Sequence, residues 1–390
     1  MKLIIFDGSF KTTAFINRLI EGLVNKGVEV YVMGFNEEVS QKVKGVNYIG
    51  LGSNQSYFKL IKTSLSLGFS SGFVNGFKVL SYIVKQERKK LQKQNLNIVL
   101  KKIQPDIVHL QWPSLLPWLE PYFNMNIFKI VLSQRGSQTN INPFVDSEFK
   151  ETLKMYYPHL DGIHSVSKAI QKKGWSQGGS SAVKEEVVYT GFELKNLQFD
   201  HTSKKNDTLK ILSVGRSHWV KGYDYSLKAL AILKEKGISY QYEIIGAYGD
   251  EELLFLINDL GLTDEVSLLP KMSQEAVYTK MRHADLLLVP SIEEGIANVA
   301  VEAMALGTPV ISTDCGGMEE LIEHNKEGWI VPKRKPKAMA EAIVNFITLN
   351  EKEIEEIKRN ARKKVENQHS EEKMISDMED LYKKVSEIKI

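Results

Sequence analysis

Short apolar runs alternate with amphipathic stretches along the whole sequence, and the series restarts once, near the middle of the chain. This pattern is typical of parallel β-sheets whose strands are joined by crossover helices. It predicts strands near residues 2–6, 28–33, 106–110, 128–133, 161–165 and 186–190 in the first half, and near 209–214, 241–246, 265–269, 285–289, 309–312 and 328–331 in the second. It also predicts first-half helices near 12–26, 75–102, 146–157 and 167–175. The predicted fold class is therefore α/β, with two Rossmann-like, doubly wound domains.

A polar stretch separates the two series of strands. Residues 196–208 carry few side chains that could be buried, so we expect them to form an interdomain linker. The sequence thus predicts a first domain over 1–195, a second over 209–369 and a final helical segment over 370–390. In that segment apolar residues recur at steps of three and four, which predicts an amphipathic helix that packs against a domain. These residues are Met374, Met378, Leu381 and Val385.

Composition and charge argue against several classes of protein. The chain has 43% hydrophobic and 25% charged residues, which is typical of globular proteins, and its net charge of +3 is too small to indicate nucleic-acid binding. The segment from Met1 to Gly8 becomes polar too soon for a signal sequence, so a cytoplasmic protein is expected. Cys315 is the one cysteine, and the histidines lack ligand spacing. No disulfide, metal or protein-bound cofactor is therefore expected.

The segment from Pro290 to Val310 is the most informative for function. It predicts a strand, a loop, a short helix of small apolar residues and a second strand. A carboxylate buried in such a helix without a partner is strongly destabilising, so Glu302 either reaches solvent or meets hydroxyl donors. Glu294 lies eight positions earlier, so both carboxylates can face one polyhydroxylated ligand while the first helix amides face a phosphate. The alternatives are an exposed helix carboxylate at Glu302 and a dipole-stabilised acid at Glu294.

These two glutamates resemble the Glu-x7-Glu motif of the retaining GT-B glycosyltransferases of family 4. Three further segments follow in the order and at the spacing of that family. They are Leu212 to Arg216 with Lys221-Gly222, which resembles the strand, Gly-Arg and Lys-Gly element; Ile244 to Gly246 with Gly249, which resembles the next strand and its glycine turn; and Gly316 to Glu320, which resembles the Gly-Gly-x-x-Glu loop. The resemblance covers residues 209–385 and, more loosely, residues 1–195.

The resemblance implies both an architecture and an activity. The architecture is GT-B, in which two Rossmann-like domains face each other across a cleft and the C-terminal helix returns to the N-terminal domain. The activity is metal-independent transfer of a sugar, with retention of configuration, from a nucleotide-diphosphate sugar to a hydroxyl acceptor in polysaccharide or glycan assembly. The second domain is expected to bind the nucleotide sugar, and the first a glycan or lipid-linked acceptor.

The same resemblance assigns roles to individual residues. The catalytic residues it implies are Glu294, Arg216, Lys221 and His109. The donor-binding residues are Gly215, Gly246, Gly295, Ile296, Ala297, Asn298, Val299 and Glu302, and the acceptor-side residues are Gly8 and Arg135. Fixed cations at Arg216 and Lys221 suit a diphosphate leaving group, which gains negative charge as the glycosidic bond breaks. The alternative for that pair is a surface position near a strand end.

Two positions in the first half depart from the family's pattern. The first loop, Gly8-Ser9-Phe10, lacks a second glycine, which argues against close backbone contact with a phosphate. The segment from Asp106 to His109 resembles the family's Asp-x-x-His strand end, but Arg135 stands where family members often carry a histidine. No general base is therefore assigned, and the departing phosphate can instead assist deprotonation of the acceptor hydroxyl.

Three other classes of protein remain open from the sequence. A two-lobed solute-binding protein would need a signal sequence and no cations for a pyrophosphate. A sugar-nucleotide epimerase on the same architecture would release an altered sugar without an acceptor. A catalytically silent, glycosyltransferase-like interaction subunit would show no donor hydrolysis.

Basic residues are concentrated in one part of the first half. Between Lys59 and Lys102 there are ten Lys or Arg residues and one acid, Glu87, and several aromatic residues are interleaved with them. This distribution indicates either a solvated helix face or a surface for anionic lipid headgroups or a pyrophosphate-linked acceptor. No apolar run reaches the ~18 residues that a membrane-spanning helix needs. Any membrane contact through residues 57–102 is expected to be peripheral, at the inner face of the membrane.

Overall fold

The structure, a computed structural model, describes residues 1–10, 13–35, 42–179, 183–200 and 208–387. These residues form two compact units. The first unit contains Met1–Val166, Ile170–Gly191 and Glu371–Ile390, and the second contains Ser167–Ala169 and Phe192–Ser370. Residues 201–207 of the predicted linker lie outside the described part of the chain.

Each unit is built on a parallel sheet, as the alternating pattern predicts. The strands of the first sheet are β1 (Lys2–Gly8), β2 (Glu29–Gly34), β3 (Asn47–Gly50), β4 (Ile107–Leu110), β5 (Lys129–Gln134), β6 (Gly162–Ser165) and β7 (Lys184–Val187). Those of the second are β8 (Leu209–Val214), β9 (Tyr240–Ile245), β10 (Val266–Leu269), β11 (Leu286–Val289), β12 (Val310–Thr313) and β13 (Trp329–Val331). The strand orders are β3-β2-β1-β4-β5-β6-β7 and β10-β9-β8-β11-β12-β13.

Helices connect the strands within each unit. They are α1 (Ala14–Asn25), α2 (Tyr57–Ser70), α3 (Phe73–Val84), α4 (Arg88–Ile103), α5 (Ser137–Asn140), α6 (Asn142–Val145), α7 (Ser147–Tyr156), α8 (Lys168–Trp175), α9 (Tyr223–Glu235), α10 (Glu251–Asp259), α11 (Gln274–His283), α12 (Asn298–Leu306), α13 (Met318–Leu321), α14 (Pro336–Thr348), α15 (Glu351–Gln368) and α16 (Glu371–Ser386). Central strands such as β5 and β11 are buried throughout, because helices cover both faces of a parallel sheet.

The helical region before β4 differs from its prediction. The single helix expected over 75–102 is wrong, because the chain forms α3 and α4 instead, separated by Gln86 with a φ of 54°. The left-handed conformation of a non-glycine residue interrupts a helix that apolar periodicity alone continues. The structure also contains α2 and the short edge strand β3, which the pattern did not predict. Strand β7 begins at Lys184, two residues before its predicted start.

Helix α16 belongs to the first unit although it follows the whole of the second in sequence. Its predicted apolar stripe is buried, with Met378, Leu381 and Val385 at 0% exposure. A β-carbon at Gly22 of α1 would lie 2.0 Å from the Ile375 side chain, and one at Gly162 of β6 would lie 2.6 Å from Val385. Glycine at both positions therefore permits the close approach of α16 to the unit.

The loops of the second unit that follow the carboxyl ends of its strands lie where a ligand is expected. Helices α9 and α14 and the strands between them enclose one hydrophobic core, and α12 contributes to another. Ligands of open parallel sheets bind beyond the carboxyl ends of the strands. The loops that follow β8, β9, β11 and β12 therefore define the region in which a site is expected.

Candidate active site

The loop after β8 lies against the end of β9. A β-carbon at Gly246, whose φ is 95°, would lie 2.8 Å from the carbonyl oxygen of Gly215. The amide of Gly215 donates to the carbonyl of Ile245 at 2.9 Å. Two of the predicted donor-binding residues are thus in direct contact, and the glycine at 246 is needed for that contact.

Lys221 and Glu294 form an ion pair across the loops that follow β8 and β11. The Nζ of Lys221 lies 2.6 Å from Oε1 of Glu294, and the two side chains are 24% and 17% exposed. The hydroxyl of Ser291 donates to the same oxygen at 3.0 Å. A partly exposed ion pair of this kind is accessible to a ligand. A diphosphate is able to replace the carboxylate of Glu294 as the partner of Lys221.

Backbone contacts hold the two loops of this ion pair together. The amide of Ile292 donates to the carbonyl of Val220 at 2.7 Å. Gly222 has a φ of 65°, and a β-carbon there would lie 2.2 Å from the carbonyl oxygen of Pro290. The position of Lys221 beside Glu294 is therefore set by the backbone and not only by the attraction between the two charges.

The Gly-Gly loop after β12 packs against the backbone of the Glu294 loop. A β-carbon at Gly316, with a φ of 57°, would lie 1.8 Å from the carbonyl oxygen of Glu294. The amide of Gly317 donates to the carbonyl of Gly295 at 2.7 Å. Side chains larger than hydrogen at either position would displace the loop that carries Glu294.

Glu302 lies on α12, and its side chain is partly buried. The hydroxyl of Tyr278 donates to its Oε1 at 3.0 Å, and Nε2 of Gln274 donates to the same oxygen at 3.3 Å. Both donors lie on α11, so the carboxylate is supported from one side by neutral groups. A carboxylate oriented in this way has further lone pairs that are able to accept hydroxyl groups of a ligand.

The predicted donor-binding residues 295–299 form the loop before α12 and its first turn. Ala297 is the N-cap residue and provides no side-chain cap, while its own amide donates to Sδ of Met318 at 3.3 Å. The first amides of an α-helix lack partners within the helix, and the helix dipole favours negative charge there. The amides of Asn298 and Val299 are therefore suited to a phosphate group.

Arg216 is exposed at the end of β8, and no described residue forms an ion pair or hydrogen bond with its side chain. The neighbouring loop borders a cavity of about 280 Å³, whose lining includes Ser217, Trp219, Tyr223 and Ile292. Arg216 and Lys221 thus both follow β8, as predicted, but Lys221 is paired with Glu294 and Arg216 extends into solvent.

His109 does not lie at an accessible site. It is 0% exposed, and its Nδ1 and Nε2 lie 2.7 and 2.8 Å from the hydroxyls of Tyr382 and Ser133. The Ser133 hydroxyl also lies 2.8 Å from Nδ1 of His164, whose Nε2 lies 2.9 Å from the carbonyl of Val188. Burial lowers the pKa of His109 far below its usual value and that of His164 to about 3. These neutral, fully engaged imidazoles argue against the catalytic role predicted for His109.

Arg135 is 8% exposed and lies at the end of β5, beside the hydrogen-bonded side chains of His109, Ser133 and His164. Its Nη2 donates to Oε1 of Gln111 at 3.3 Å and to Ser133 at 3.2 Å, while its guanidinium lies 4.4 Å from the ring centroid of Phe15. Burial lowers its pKa to about 10. Nε of Arg135 and Nε2 of Gln111 are buried and have no hydrogen-bond partner in the described part of the chain. Both groups are therefore donors without an acceptor among the described residues.

Asp7 lies near Arg135 at the end of β1, next to Gly8. Its carboxylate accepts a hydrogen bond of 2.9 Å from Nε1 of Trp112, and burial raises its pKa to about 6. Sequence reasoning assigned no role to Asp7, Gln111 or Trp112. The available signal was their position, because each lies at or just beyond the end of β1 or β4.

The described residues contain neither a metal centre nor a membrane-spanning helix. No group of three or more histidine, cysteine, aspartate or glutamate side chains is placed there to hold a metal ion. No helix in the same residues is long and apolar enough to cross a membrane.

Sequence comparison relates the second half of the chain to a known family. Residues 195–364 match the family model described as glycosyl transferases group 1. The chain is 36% identical over 234 residues to the amylovoran biosynthesis glycosyltransferase AmsK of Erwinia amylovora, a match that covers 56% of this chain and 57% of that protein. It is 33% identical over 256 residues to the putative colanic acid biosynthesis glycosyltransferase WcaL of Escherichia coli K12, covering 61% and 62% of the two chains. The chain thus spans about three-fifths of these relatives' lengths.

Structure comparison extends over nearly the whole chain. A sucrose-phosphate synthase from Thermosynechococcus elongatus superposes with a TM-score of 0.75, at 17% identity and 99% coverage of both chains. The Anabaena protein HepE in complex with UDP-glucose superposes with a TM-score of 0.69, at 18% identity, covering 97% of this chain and 98% of that one. The chain therefore has the GT-B fold, as the sequence predicts.

Proposed function

We propose that the protein is a retaining glycosyltransferase that moves a sugar from a nucleotide-diphosphate sugar to a hydroxyl acceptor in polysaccharide or glycan assembly. The ion pair between Lys221 and Glu294 carries the proposal, because it combines an accessible cation and carboxylate beyond the ends of β8 and β11. The family match over 195–364 and relatives named for amylovoran and colanic acid biosynthesis support the same activity.

The second unit is proposed to bind the donor. Arg216 and Lys221 would contact the diphosphate and stabilise the charge that it gains as the glycosidic bond breaks. Glu302 would accept hydrogen bonds from ribose hydroxyls, since neutral donors on α11 already orient it. Glu294 would accept hydroxyls of the transferred sugar, with Gly295 to Val299 supplying backbone contacts around the phosphates.

The first unit is proposed to bind the acceptor. Arg135 at the end of β5 and Gly8 at the end of β1 are proposed to lie on the acceptor side. We assign no protein base, because departing phosphate oxygens are able to take the acceptor proton in a retaining reaction. His109 is assigned a structural role.

Two further properties belong to the proposal. The reaction would need no metal held by the protein, because Arg216 and Lys221 supply the cations that a diphosphate leaving group requires. The acceptor would be a glycan or a lipid-linked glycan, and residues 57–102 would bring the protein into peripheral contact with the inner face of a membrane.

A thermal-shift panel tests donor binding directly. UDP, GDP, ADP and CMP are added in turn, followed by their sugars, and UDP comes first because HepE was solved with UDP-glucose. A ligand at one hundred times its dissociation constant stabilises the folded state by about 2.7 kcal/mol, so one nucleotide should raise the midpoint clearly. Glu302→Ala should weaken that shift, and the exposed control Glu275→Ala should preserve it. No shift with any nucleotide or sugar would contradict the proposal.

An activity assay in the presence of EDTA tests sugar transfer, its stereochemistry and its independence of metal. Glu294→Ala should retain nucleotide binding and lower turnover of the intact donor. An anomeric configuration retained in the product supports the proposed stereochemistry, and activity restored only by magnesium or manganese would contradict metal independence. An altered sugar released without an acceptor would indicate an epimerase, and the absence of donor turnover would indicate a silent subunit.

A further inference from the structure

Helix α3 presents an apolar stripe to solvent. Phe73, Phe77, Leu80 and Val84 recur at steps of four, three and four residues, so they share one face of the helix. Their exposures are 78%, 66%, 38% and 81%. Isolated exposed apolar residues are ordinary on protein surfaces, whereas a continuous stripe that includes two phenylalanines marks an interaction site.

Helix α3 also packs against its neighbours through a different side. Val79 is buried with Leu60 of α2 and Leu91 of α4 in a small hydrophobic cluster. A β-carbon at Gly76 would lie 2.5 Å from the Phe69 ring, so α2 and α3 are in close contact. Helix α3 thus carries a second apolar stripe in addition to the side that packs against α2 and α4, and burial of such a stripe is favourable.

Helix α2 adds to the same surface. Phe58 and Phe69, which are 77% and 45% exposed, lie three turns apart on one face of α2. We call the residues of α2 and α3, 57–84, the helical hairpin. Its two helices are joined at Ser71 and Gly72, and the φ of 113° at Gly72 requires glycine.

The charge on the helical hairpin has one sign. The helical hairpin and the two residues after it, 57–86, contain four lysines and no aspartate or glutamate. Lys78 and Lys85 flank the apolar stripe, both are exposed, and neither forms an ion pair or hydrogen bond with any described residue. An apolar face bordered by unpaired cations is the pattern of helices that lie in the interface of an anionic membrane.

The Lys and Arg residues of α4, between Arg88 and Lys102, form a basic run that is less suited to membrane contact. Arg88 donates to the carbonyl of Ser53 at 3.3 Å, Lys90 lies 2.7 Å from Glu87, and Lys93 lies 3.8 Å from Glu120. Neighbouring carboxylates thus offset part of the charge of α4. The exposed phenylalanines lie on α2 and α3 of the helical hairpin. The exposed aromatic residues and the densest group of basic residues in 57–102 therefore lie on different helices.

We infer that the helical hairpin inserts the exposed apolar stripe of α3, with Phe58 and Phe69 of α2, into the headgroup region of a bilayer that contains anionic lipid. Lys78 and Lys85 then contact the lipid phosphates. The inference rests on the proposed peripheral contact of residues 57–102 and assigns that contact to the helical hairpin instead of the basic run. It does not depend on the proposed reaction.

Vesicle cosedimentation of the full chain tests the inference. Phosphatidylcholine vesicles with and without phosphatidylglycerol are used at low and high salt. Phe73→Ser with Phe77→Ser should lower the partition coefficient on the order of 30-fold at either salt, because apolar burial is not screened. Lys78→Gln with Lys85→Gln should lower it about 30-fold at low salt and little at 1 M, where the Debye length is about 3 Å.

Matched variants control for folding and for nonspecific effects. Phe144 and Val145 are 67% and 78% exposed elsewhere in the first unit, so their double change to serine removes comparable apolar surface. Lys101→Gln with Lys102→Gln removes two charges from α4. Both controls should bind vesicles as the wild type does, and all variants should keep the wild-type unfolding midpoint and nucleotide-induced shift.

Three results would overturn the inference. The first is absence of wild-type binding to anionic vesicles. The second is loss of binding in the α4 control with retention in the hairpin variants, which would leave membrane contact in place but assign it to the basic run. The third is a wild-type dimer that the phenylalanine changes dissociate without any effect on vesicle binding, since the stripe would then join two copies of the chain. Loss of the nucleotide shift alone would count against the proposed reaction only.

Discussion

The two units carry polar side chains near the carboxyl ends of their strands, but with opposite exposure. In the second unit, Lys221 and Glu294 lie in loops beyond β8 and β11 and remain 24% and 17% exposed. In the first unit, His109 and His164 lie within β4 and β6 and are 0% and 3% exposed. A motif residue beyond a strand end can reach a ligand, whereas one within a central parallel strand faces the covering helices.

The largest expected effect concerns the exposed side of this comparison. Lys221→Ala and Arg216→Ala should each lower kcat/KM about 10²- to 10³-fold, the usual effect of removing one electrostatic donor to a developing charge. Steady-state kinetics with the donor found in the thermal-shift panel measure it. The ion pair of Lys280 with Glu243, 2.7 Å apart in the same unit, provides the control. If Lys280→Ala matches Lys221→Ala, the site has no special status.

The next effect concerns Asp7 on the buried side. Its pKa of about 6 in the folded protein exceeds the ordinary 3.8, so the unfolded chain loses the proton first as pH rises. The free energy of unfolding should therefore fall by about 2 kcal/mol between pH 4 and 6, and stay level with respect to this group above about pH 7. Asp7→Asn should remove that decline, whereas the exposed control Glu148→Gln should retain it. Urea unfolding at both pH values measures the difference, and parallel curves for wild type and Asp7→Asn would refute it.

The smallest effect concerns the buried hydrogen bonds that link Tyr382, His109 and Ser133. Tyr382→Phe leaves Nδ1 of buried His109 without its partner at 2.7 Å, which should lower the free energy of unfolding by about 1–3 kcal/mol. Nucleotide binding by the second unit should not change. Tyr248→Phe, at a tyrosine that is 74% exposed, should have almost no effect on stability. A Tyr382→Phe variant of wild-type stability that had lost transferase activity would restore a functional role for His109.

The sequence predicted the second sheet closely and the first less well. All six strands from β8 to β13 lie within two residues of their predictions, because each is a short apolar run between polar loops. Helix α2 was missed, and so was the break at Gln86, because no glycine or proline marks it. The exposed stripe of α3 also has the same periodicity as a buried one. Local pattern does not report which face of a helix another element covers.

The same limit applies to the candidate site. Glu294, Lys221 and Glu302 were predicted because they resemble motif residues of a known family, and they lie in loops or on a short helix beside strand ends. The involvement of Tyr382 with His109 could not be predicted, because 273 residues separate the two. The prediction of a catalytic His109 followed its motif, and only the tertiary structure shows that both ring nitrogens are engaged.

The return of α16 to the first unit has a consequence for synthesis on the ribosome. Apart from three residues, the second unit is one continuous stretch, Phe192–Ser370, and can close as soon as it has been translated. The first unit begins earlier but finishes later, because Tyr382 and the apolar side chains of α16 are made after the whole of the second unit. Until then the apolar residues of the first unit that cluster with α16, such as Leu19 and Val131, lack that cover on the nascent chain. We therefore expect the order of completion to be the reverse of the order of translation, with the first unit the one exposed to aggregation or chaperone binding in the meantime.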